Sequence, residues 1–327
     1  IMNIANKIAL DQIDSGIGGG VDSISDAPIV YNDNLRKILL KSFTGKSLKE
    51  KLVPWSRMRP KLLKPKLPGV KEPRTGLSMG ESTEIIAKDY AISRHDQDTL
   101  ATESHAKASR AYDEGFYKDL VVPFEGVEKD NIIRHDSTIQ KLASLKTVFD
   151  KGVNATLTPG NSTSLTDGSA AVLLASDEWA NKNNLDIESY ITSFEIAAVN
   201  YIDNEGLLMA PAYAVSEMLK KQNLNLQDFD FYEIHEAFAA QTLATINAWK
   251  SEEFCKSKLG REKVMGSFDH NKLNVKGGSL AIGHPFAATG ARIVATLSKL
   301  LKDNGGGKGL ISICTAGGMG ITAILER

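Results

Sequence analysis

The chain has 327 residues, 42% of them hydrophobic and 7% aromatic, which is enough apolar material for a large core and predicts two. Its 39 basic and 40 acidic side chains almost cancel, and no nucleic-acid-binding module is recognisable, so nucleic acid is not the expected partner. Two cysteines, Cys255 and Cys314, supply neither a disulfide framework nor metal-ligand spacing; this fits a reducing compartment and argues against structural zinc. No apolar run approaches the roughly 20 residues of a membrane span.

From the start, "IMNIANKIALDQ" reads as the middle of an amphipathic helix with no cap: Ile1, Ile4 and Ile8, with Ala5 and Ala9, keep helical spacing. "SGIGGGVDS" then reads as a glycine-rich strand end. A preceding element is therefore expected, and the lack of a targeting peptide says nothing about compartment. Next, Leu35 to Arg74 holds 13 Lys and Arg against two acids, a local balance of +11 that leaves −12 for the other residues. The block carries five of the ten prolines, among Leu35, Ile38, Leu39, Leu40, Phe43, Trp55, Met58, Leu62 and Leu63. Short broken helices are predicted, either as a solvated basic loop or as a surface for an anionic membrane or an acidic partner subunit.

Further on the chain alternates. Ser93 caps "RHDQDTLATESHAKASRAYDEG", with Asp96 at the third helical position and Gly115 after the end. "SAAVLLAS" (169 to 176) and "YITSFEIAAVN" (190 to 200) read as buried strands, and a helix opens near Pro211 and runs through Met218 and Leu219. "DFYEI" is a strand and "EAFAAQTLATINAWK" a helix. "ATGARIVATLSKLLKD" is a helix with Ile293, Val294, Leu297, Leu300 and Leu301 on one face, and "GLISIC" and "GITAILE" are closing strands. Such alternation predicts a layered α/β fold.

Three polar punctuations interrupt this framework, each at a strand end or helix mouth, where ligand sites of open α/β sheets lie. In "HEAFA", His235 and Glu236 follow the strand; the zinc motif HExxH is excluded because Ala239 stands at its last position. In "GGSLAIGHPFAATG", His284 is wedged between Gly283 and Pro285 at a helix whose first turn reads "FAATG". No P-loop spacing is present there or in "GGGKG". In "CTAGGMG", Cys314 ends a strand, and the turn of Ala316, Gly317 and Gly318 offers backbone N–H groups that could hold an anion or lower a thiol's pKa. Buried packing is the alternative for Cys314 and the expected role of Cys255.

Taken together, "HEAFAAQ", "GGSLAIGHPFAATGAR" and "CTAGGMG" in this order resemble the thiolase family, as do "GGGVDSISDAP" (18 to 28), "GLSMGESTE" (76 to 84) and "TPGNSTSLTDGSAAVLLAS" (158 to 176). The likeness is nearest to the 3-ketoacyl-CoA thiolase branch, β-subunit type, of fatty-acid oxidation complexes, because "HEAF" stands where biosynthetic thiolases read "NEAF". By that resemblance, His284 takes the proton from a nucleophilic cysteine and helps hold the thioester oxygen. Cys314 protonates the departing enolate and deprotonates coenzyme A, and His235 orients a water in one oxyanion hole. The N–H of Ala316, beside Gly317, helps form the second, although glycine is usual at that position. Met79, Ser162, Thr163 and Phe286 line the acyl or pantetheine pocket.

The resemblance also implies two βαβαβαββ halves in a five-layer αβαβα arrangement with an inserted loop domain. The boundaries expected are 1 to 28 and 151 to 188 for an incomplete amino-terminal half, 29 to 150 for the insert and 189 to 327 for the carboxyl-terminal half. Thiolases carry their nucleophile in a "C-x-S" turn at the start of the helix that here reads "IMNIANKIALDQ", so it is expected within about ten residues upstream of Ile1. A chain without its first strands would expose apolar edges. A truncated binding or scaffolding subunit and a biosynthetic acetoacetyl-CoA thiolase are the alternatives; a ketoacyl synthase would need a second His at position 314, and a hydrolase would need a G-x-S-x-G elbow. No metal or prosthetic group is implied, coenzyme A being a substrate. A dimer or tetramer, an α-subunit with hydratase and dehydrogenase activities, membrane contact through Leu35 to Arg74, and a bacterial cytoplasmic or mitochondrial location complete the expectations.

Overall fold

The computed structural model describes residues 1–66, 69–203 and 205–327; Leu67 and Pro68 of the basic block lie outside the described residues. Two compact units are present, Ile1–Asp22 with Lys71–Arg327, and Ser23–Val70.

In the larger unit the chain forms α1 (Met2–Ala9) and β1 (Ser15–Asp22). In the smaller unit it forms α2 (Asp33–Thr44) and α3 (Leu48–Leu52), followed by two single 3-10 turns, Val53–Arg57 and Pro60–Leu63, each opened by a proline. Leu35, Ile38 and Leu62 make the smaller unit's core, with Leu39 and Met58 against it. So little burial leaves Phe43, Leu48, Leu52 and Leu63 exposed among the lysines.

The larger unit continues with α4 (Met79–Asp89), α5 (Arg94–Asp113), α6 (Ile139–Ala143), β2 (Gly168–Ala175), α7 (Asp177–Lys182) and β3 (Tyr190–Ala198). Then come α8 (Ala210–Gln222), β4 (Phe231–Ile234), α9 (Ala239–Lys250), α10 (Glu252–Ser257), α11 (Ser279–Ile282), α12 (Thr289–Asp303), β5 (Lys308–Thr315) and β6 (Met319–Glu326). Ser93 caps α5 by accepting from Asp96 N, a bond of about 1 kcal/mol, and Gly115 follows in the left-handed region at φ 76°.

β1 pairs antiparallel with β2, and a second sheet has the order β3-β6-β5-β4, with β4 parallel to β5. The alternation along β5 sorts its two faces. Leu310 and Cys314 join the main core with Met218 and Leu219 of α8, whereas Ile311 and Ile313 meet Ile293, Leu297 and Leu301 of α12. α12 also packs on β1 and β2, so it lies between the two sheets. The apolar run of β5 is thus explained by cover on both faces.

Two strands differ from the sequence expectation: β2 and β3 form where predicted but are half exposed, Leu173 at 54% and Ile196 at 58%. β3 is an edge strand, and the two-stranded sheet has one open face carrying Ile17, Val21 and Leu173. A groove of about 400 Å³, lined by Ile1, Met2, Phe194, Val294 and Ile313, includes none of the predicted site residues. Among the described residues no helix is long and apolar enough to cross a membrane, and no three His, Cys, Asp or Glu side chains are grouped to hold a metal ion.

Candidate active site

Buried carboxylates build the frame before any reactive group enters it. Glu84 of α4 accepts from Thr156 N (2.7 Å), Thr156 Oγ1 (2.9 Å) and Leu157 N (2.9 Å). Asp98 of α5 accepts from Arg94 Nε (2.7 Å) and Asn161 Nδ2 (3.0 Å). Asn161 in turn offers its carbonyl to Ala239 N (3.0 Å), the first residue of α9, whose N-cap Phe238 has no capping side chain. Glu236 accepts from Ser104 Oγ (2.7 Å), Asn274 Nδ2 (2.6 Å) and Leu280 N (3.2 Å). Each acid is almost fully buried and amply hydrogen-bonded, the condition under which a buried carboxylate is tolerated.

The helix containing "EAFAAQ" begins later than its sequence predicts: Phe238 is extended (φ −146°, ψ 142°) and α9 starts at Ala239. His235 therefore stands on an extended link after β4. Its N–H donates to Ser312 O (2.8 Å), which sets it beside the end of β5, two positions before Cys314. The next stretch runs along the same link, Ser162 bridging Phe238 and Thr163 N donating to Ala237 O (3.1 Å), and then reaches His284, whose N–H donates to Ser164 O (3.0 Å). The segment 162–165 thus ties the two histidine loops together.

His284 stands ahead of the helix, as its sequence predicts, in a parallel bridge with Leu165; Phe286 to Ala288 of "FAATG" form a turn, and α12 starts at Thr289. Gly283 before it has φ 102°, and a Cβ there would come within 2.6 Å of Thr166 Cγ2, so only glycine holds this turn unstrained. The imidazole centroids of His235 and His284 are 4.3 Å apart, and Phe286, itself half exposed, packs edge-on to His284 at 4.8 Å.

The hydrogen bonds of His284 bear on its tautomer. Thr289 Oγ1 reaches both Pro285 O (3.0 Å) and His284 Nδ1 (2.7 Å); with its proton on Pro285 O it accepts from Nδ1–H, and this is the arrangement taken for the proposal below. Nδ1 then carries the proton and Nε2 keeps a lone pair, the arrangement of a general base. Burial, then the charge of Arg292, pushes the His284 pKa down to about 4, so the ring is neutral near pH 7. Burial, followed by the His284 and Arg292 charges, holds His235 well below the ordinary imidazole value.

Cys314 is buried, and burial pushes its thiol up to about 12. This corrects the expectation that the glycine turn would acidify it. The side chain faces the apolar core with Leu310 and Ile324, where desolvation of a thiolate outweighs the backbone donors. Cys255 is fully buried with its Sγ against the carbonyls of Ala248 and Trp249, a packing role.

Direct contacts bring together His235, His284 and Phe286, with Thr163 joined through its Oγ1 to Ser279 O (2.6 Å). Met79 opens α4 against the main core, and Ala316 and Gly317 stand exposed in the turn after β5; these three enter the site only through the resemblance. Residues not foreseen are Ser279, Thr289 and Arg292, which support the histidines, and Glu233, 2% exposed, whose carboxyl burial pushes up to about 8. A charged residue inside "DFYEI" was the available signal for the last.

Comparison with known proteins decides the family. Residues 1–178 match the pattern described as Thiolase, N-terminal domain, and 185–327 match Thiolase, C-terminal domain. The chain is 42% identical over 331 residues to a 3-ketoacyl-CoA thiolase of Shewanella putrefaciens, covering 99% of this chain and 75% of that protein. The chain belongs to the thiolase family. A Yersinia pestis 3-ketoacyl-CoA thiolase is also 42% identical, over 332 residues, 100% of this thiolase and 76% of the relative. Among solved structures, human mitochondrial 3-ketoacyl-CoA thiolase in complex with CoA superposes with a TM-score of 0.78 at 28% identity, over 100% of this thiolase and 74% of that chain. An acetyl-CoA acetyltransferase from Syntrophomonas wolfei gives 0.80 at 27%, over 100% and 76%. The expected thiolase fold is the fold found.

Proposed function

We propose that this thiolase cleaves 3-ketoacyl-CoA with coenzyme A to acetyl-CoA and a shortened acyl-CoA. The observation that carries this reading is the pair of neutral, touching imidazoles, one with a free lone pair on Nε2, set beside the strand end that bears a protonated thiol. In the proposed sequence His284 Nε2 takes the proton of a nucleophilic cysteine, a role assigned to neither Cys255 nor Cys314. That sulfur bonds to the keto carbon, the adjacent C–C bond breaks, and its electron pair leaves on the acetyl-CoA enolate. Cys314 gives the enolate its proton. The Cys314 thiolate so formed takes the thiol proton of the incoming coenzyme A, whose sulfur bonds to the acyl carbon while the cysteine leaves.

His235 and the N–H of Ala316 are assigned to the two oxyanion holes, where one pre-aimed donor contributes about 3 kcal/mol. Met79, Ser162, Thr163 and Phe286 are assigned to the pantetheine and acyl channel. The domain boundaries given above, a homodimer or tetramer, an α-subunit partner and a bacterial cytoplasmic location belong to the same reading. The basic block Leu35 to Arg74 is proposed as a membrane or partner surface, favoured by its exposed Phe43, Leu48, Leu52 and Leu63 among lysines.

The test is to incubate the full-length protein with coenzyme A and 3-ketoacyl-CoA of graded chain length and to detect acetyl-CoA with the shortened product by mass spectrometry. Tight coenzyme A binding with no cleavage at any length would instead favour the binding-subunit reading.

A further inference from the structure

His235 is 1% exposed and its Nε2 has no partner among the described residues, so which nitrogen carries the proton decides what this ring can do. Its Nδ1 lies 2.8 Å from Ser279 Oγ, and Arg292 Nη2 donates to the same oxygen at 2.8 Å. A guanidinium can only donate, so Arg292 occupies a lone pair of Ser279. The one hydroxyl proton of Ser279 must then go to an acceptor, and His235 Nδ1 is within reach. Ser279 is fully buried and cannot turn to solvent. Its main chain is also held, its carbonyl accepting from Thr163 Oγ1 (2.6 Å) and its N-cap Gly278 donating to Ser104 Oγ (3.0 Å). With the proton on Nδ1 instead, the buried hydroxyl proton would lack an acceptor among the described residues.

We infer that Ser279, anchored by Arg292, is a positioning residue that holds His235 as its Nε2–H tautomer, so that a buried N–H donor faces the reacting oxygen. The two adjacent histidines are then opposite in kind: His284 presents a lone pair and His235 a proton. The inference rests on the thiolysis reading only for the identity of that oxygen, a thioester carbonyl or a water bound to it.

The experiment is a long-range proton–nitrogen spectrum of full-length protein labelled with nitrogen-15 histidine, with His235 assigned by its loss in His235→Asn. A pyridine-like Nδ1 and a pyrrole-like Nε2 are expected; a proton on Nδ1 overturns the inference. In Ser279→Ala the two nitrogens should move toward averaged values and kcat should fall about tenfold or more with KM nearly unchanged. A folded Ser279→Ala with an unaltered His235 signature also overturns it. Full-length protein that shows the Nε2–H signature but no thiolysis would sink the functional reading while supporting the tautomer.

Discussion

The rings of His235 and His284 lie 4.3 Å apart and tilted by 51°, and both are pushed toward the neutral form. Two imidazoles so close cannot both be charged without mutual repulsion, and burial penalises even one charge. His284, the proposed base, is therefore ready without first losing a proton at neutral pH. For the full-length enzyme, kcat/KM should stay flat from about pH 7 down to about pH 5 and fall only near the His284 value of about 4. An acid limb centred near 6.5 would show that His284 is not the base of the free enzyme. The same depression makes the folded state bind fewer protons than the unfolded chain, so stability from these rings is present above about pH 6.5 and is lost as pH falls toward 4.

Thr289 Oγ1 lies 2.7 Å from His284 Nδ1 and 3.0 Å from Pro285 O, so it anchors the ring on the side away from Nε2. Thr289→Ala should lower kcat on the order of tenfold to a hundredfold while KM changes little, because binding groups are untouched. Thr289→Ser keeps the hydroxyl and should recover most of the rate. Equal losses in both variants would mean that the Thr289 methyl group, not its hydrogen bond, matters.

Cys314 is a weak acid and, once deprotonated, a strong base, which suits a group that gives a proton to a carbanion and then takes one from a thiol. Cys314→Ala should abolish thiolysis yet fold, at a stability cost of about 1 kcal/mol for one lost buried sulfur. Turnover near that of the parent, with an unchanged circular dichroism spectrum, would remove Cys314 from the mechanism.

Glu233 is a buried acid whose Oε1 has no hydrogen-bond partner among the described residues and whose carboxyl is raised to about 8 by burial, against the lowering influence of Arg292. A raised carboxyl means the folded state binds more protons than the unfolded one, so stability falls as pH rises from about 4.5 to 8. Glu233→Gln removes that loss. Its stability advantage over the parent should grow across this window by up to about 1.4 kcal/mol per pH unit, read from urea unfolding at several pH values. A difference independent of pH would mean that Glu233 does not titrate there.

How much of this was legible depended on whether a feature was local in the chain. Helical spacing and caps placed α5, α8 and α12, and the Gly-His-Pro and Cys-Thr-Ala-Gly-Gly patterns singled out His284 and Cys314. The exposure of β2 and β3 was not legible, because it depends on which strands neighbour them in the sheets. Nor was the acidity of Cys314. The glycine turn is written in the sequence, whereas the apolar core around the thiol is assembled largely from α8, far upstream in the chain. Ser279 and Arg292 escaped for the same reason: thirteen residues separate them, and only the path through α11 and the His284 turn brings them onto one histidine.

The smaller unit offers the last prediction. Lys66 pairs with Asp33 (3.2 Å) and so supports the unit's own fold, but Lys61 and Lys64 are exposed on its surface beside the exposed Leu63. If this face meets an anionic bilayer, each lysine near the surface contributes about 1 kcal/mol. Lys61→Glu with Lys64→Glu should then weaken binding of the full-length protein to vesicles of mixed neutral and anionic phospholipid by at least tenfold. The effect should shrink as salt is raised, because screening acts on exposed charges. Binding that is equal for parent and variant, or absent in both, would leave these lysines as a solvated surface.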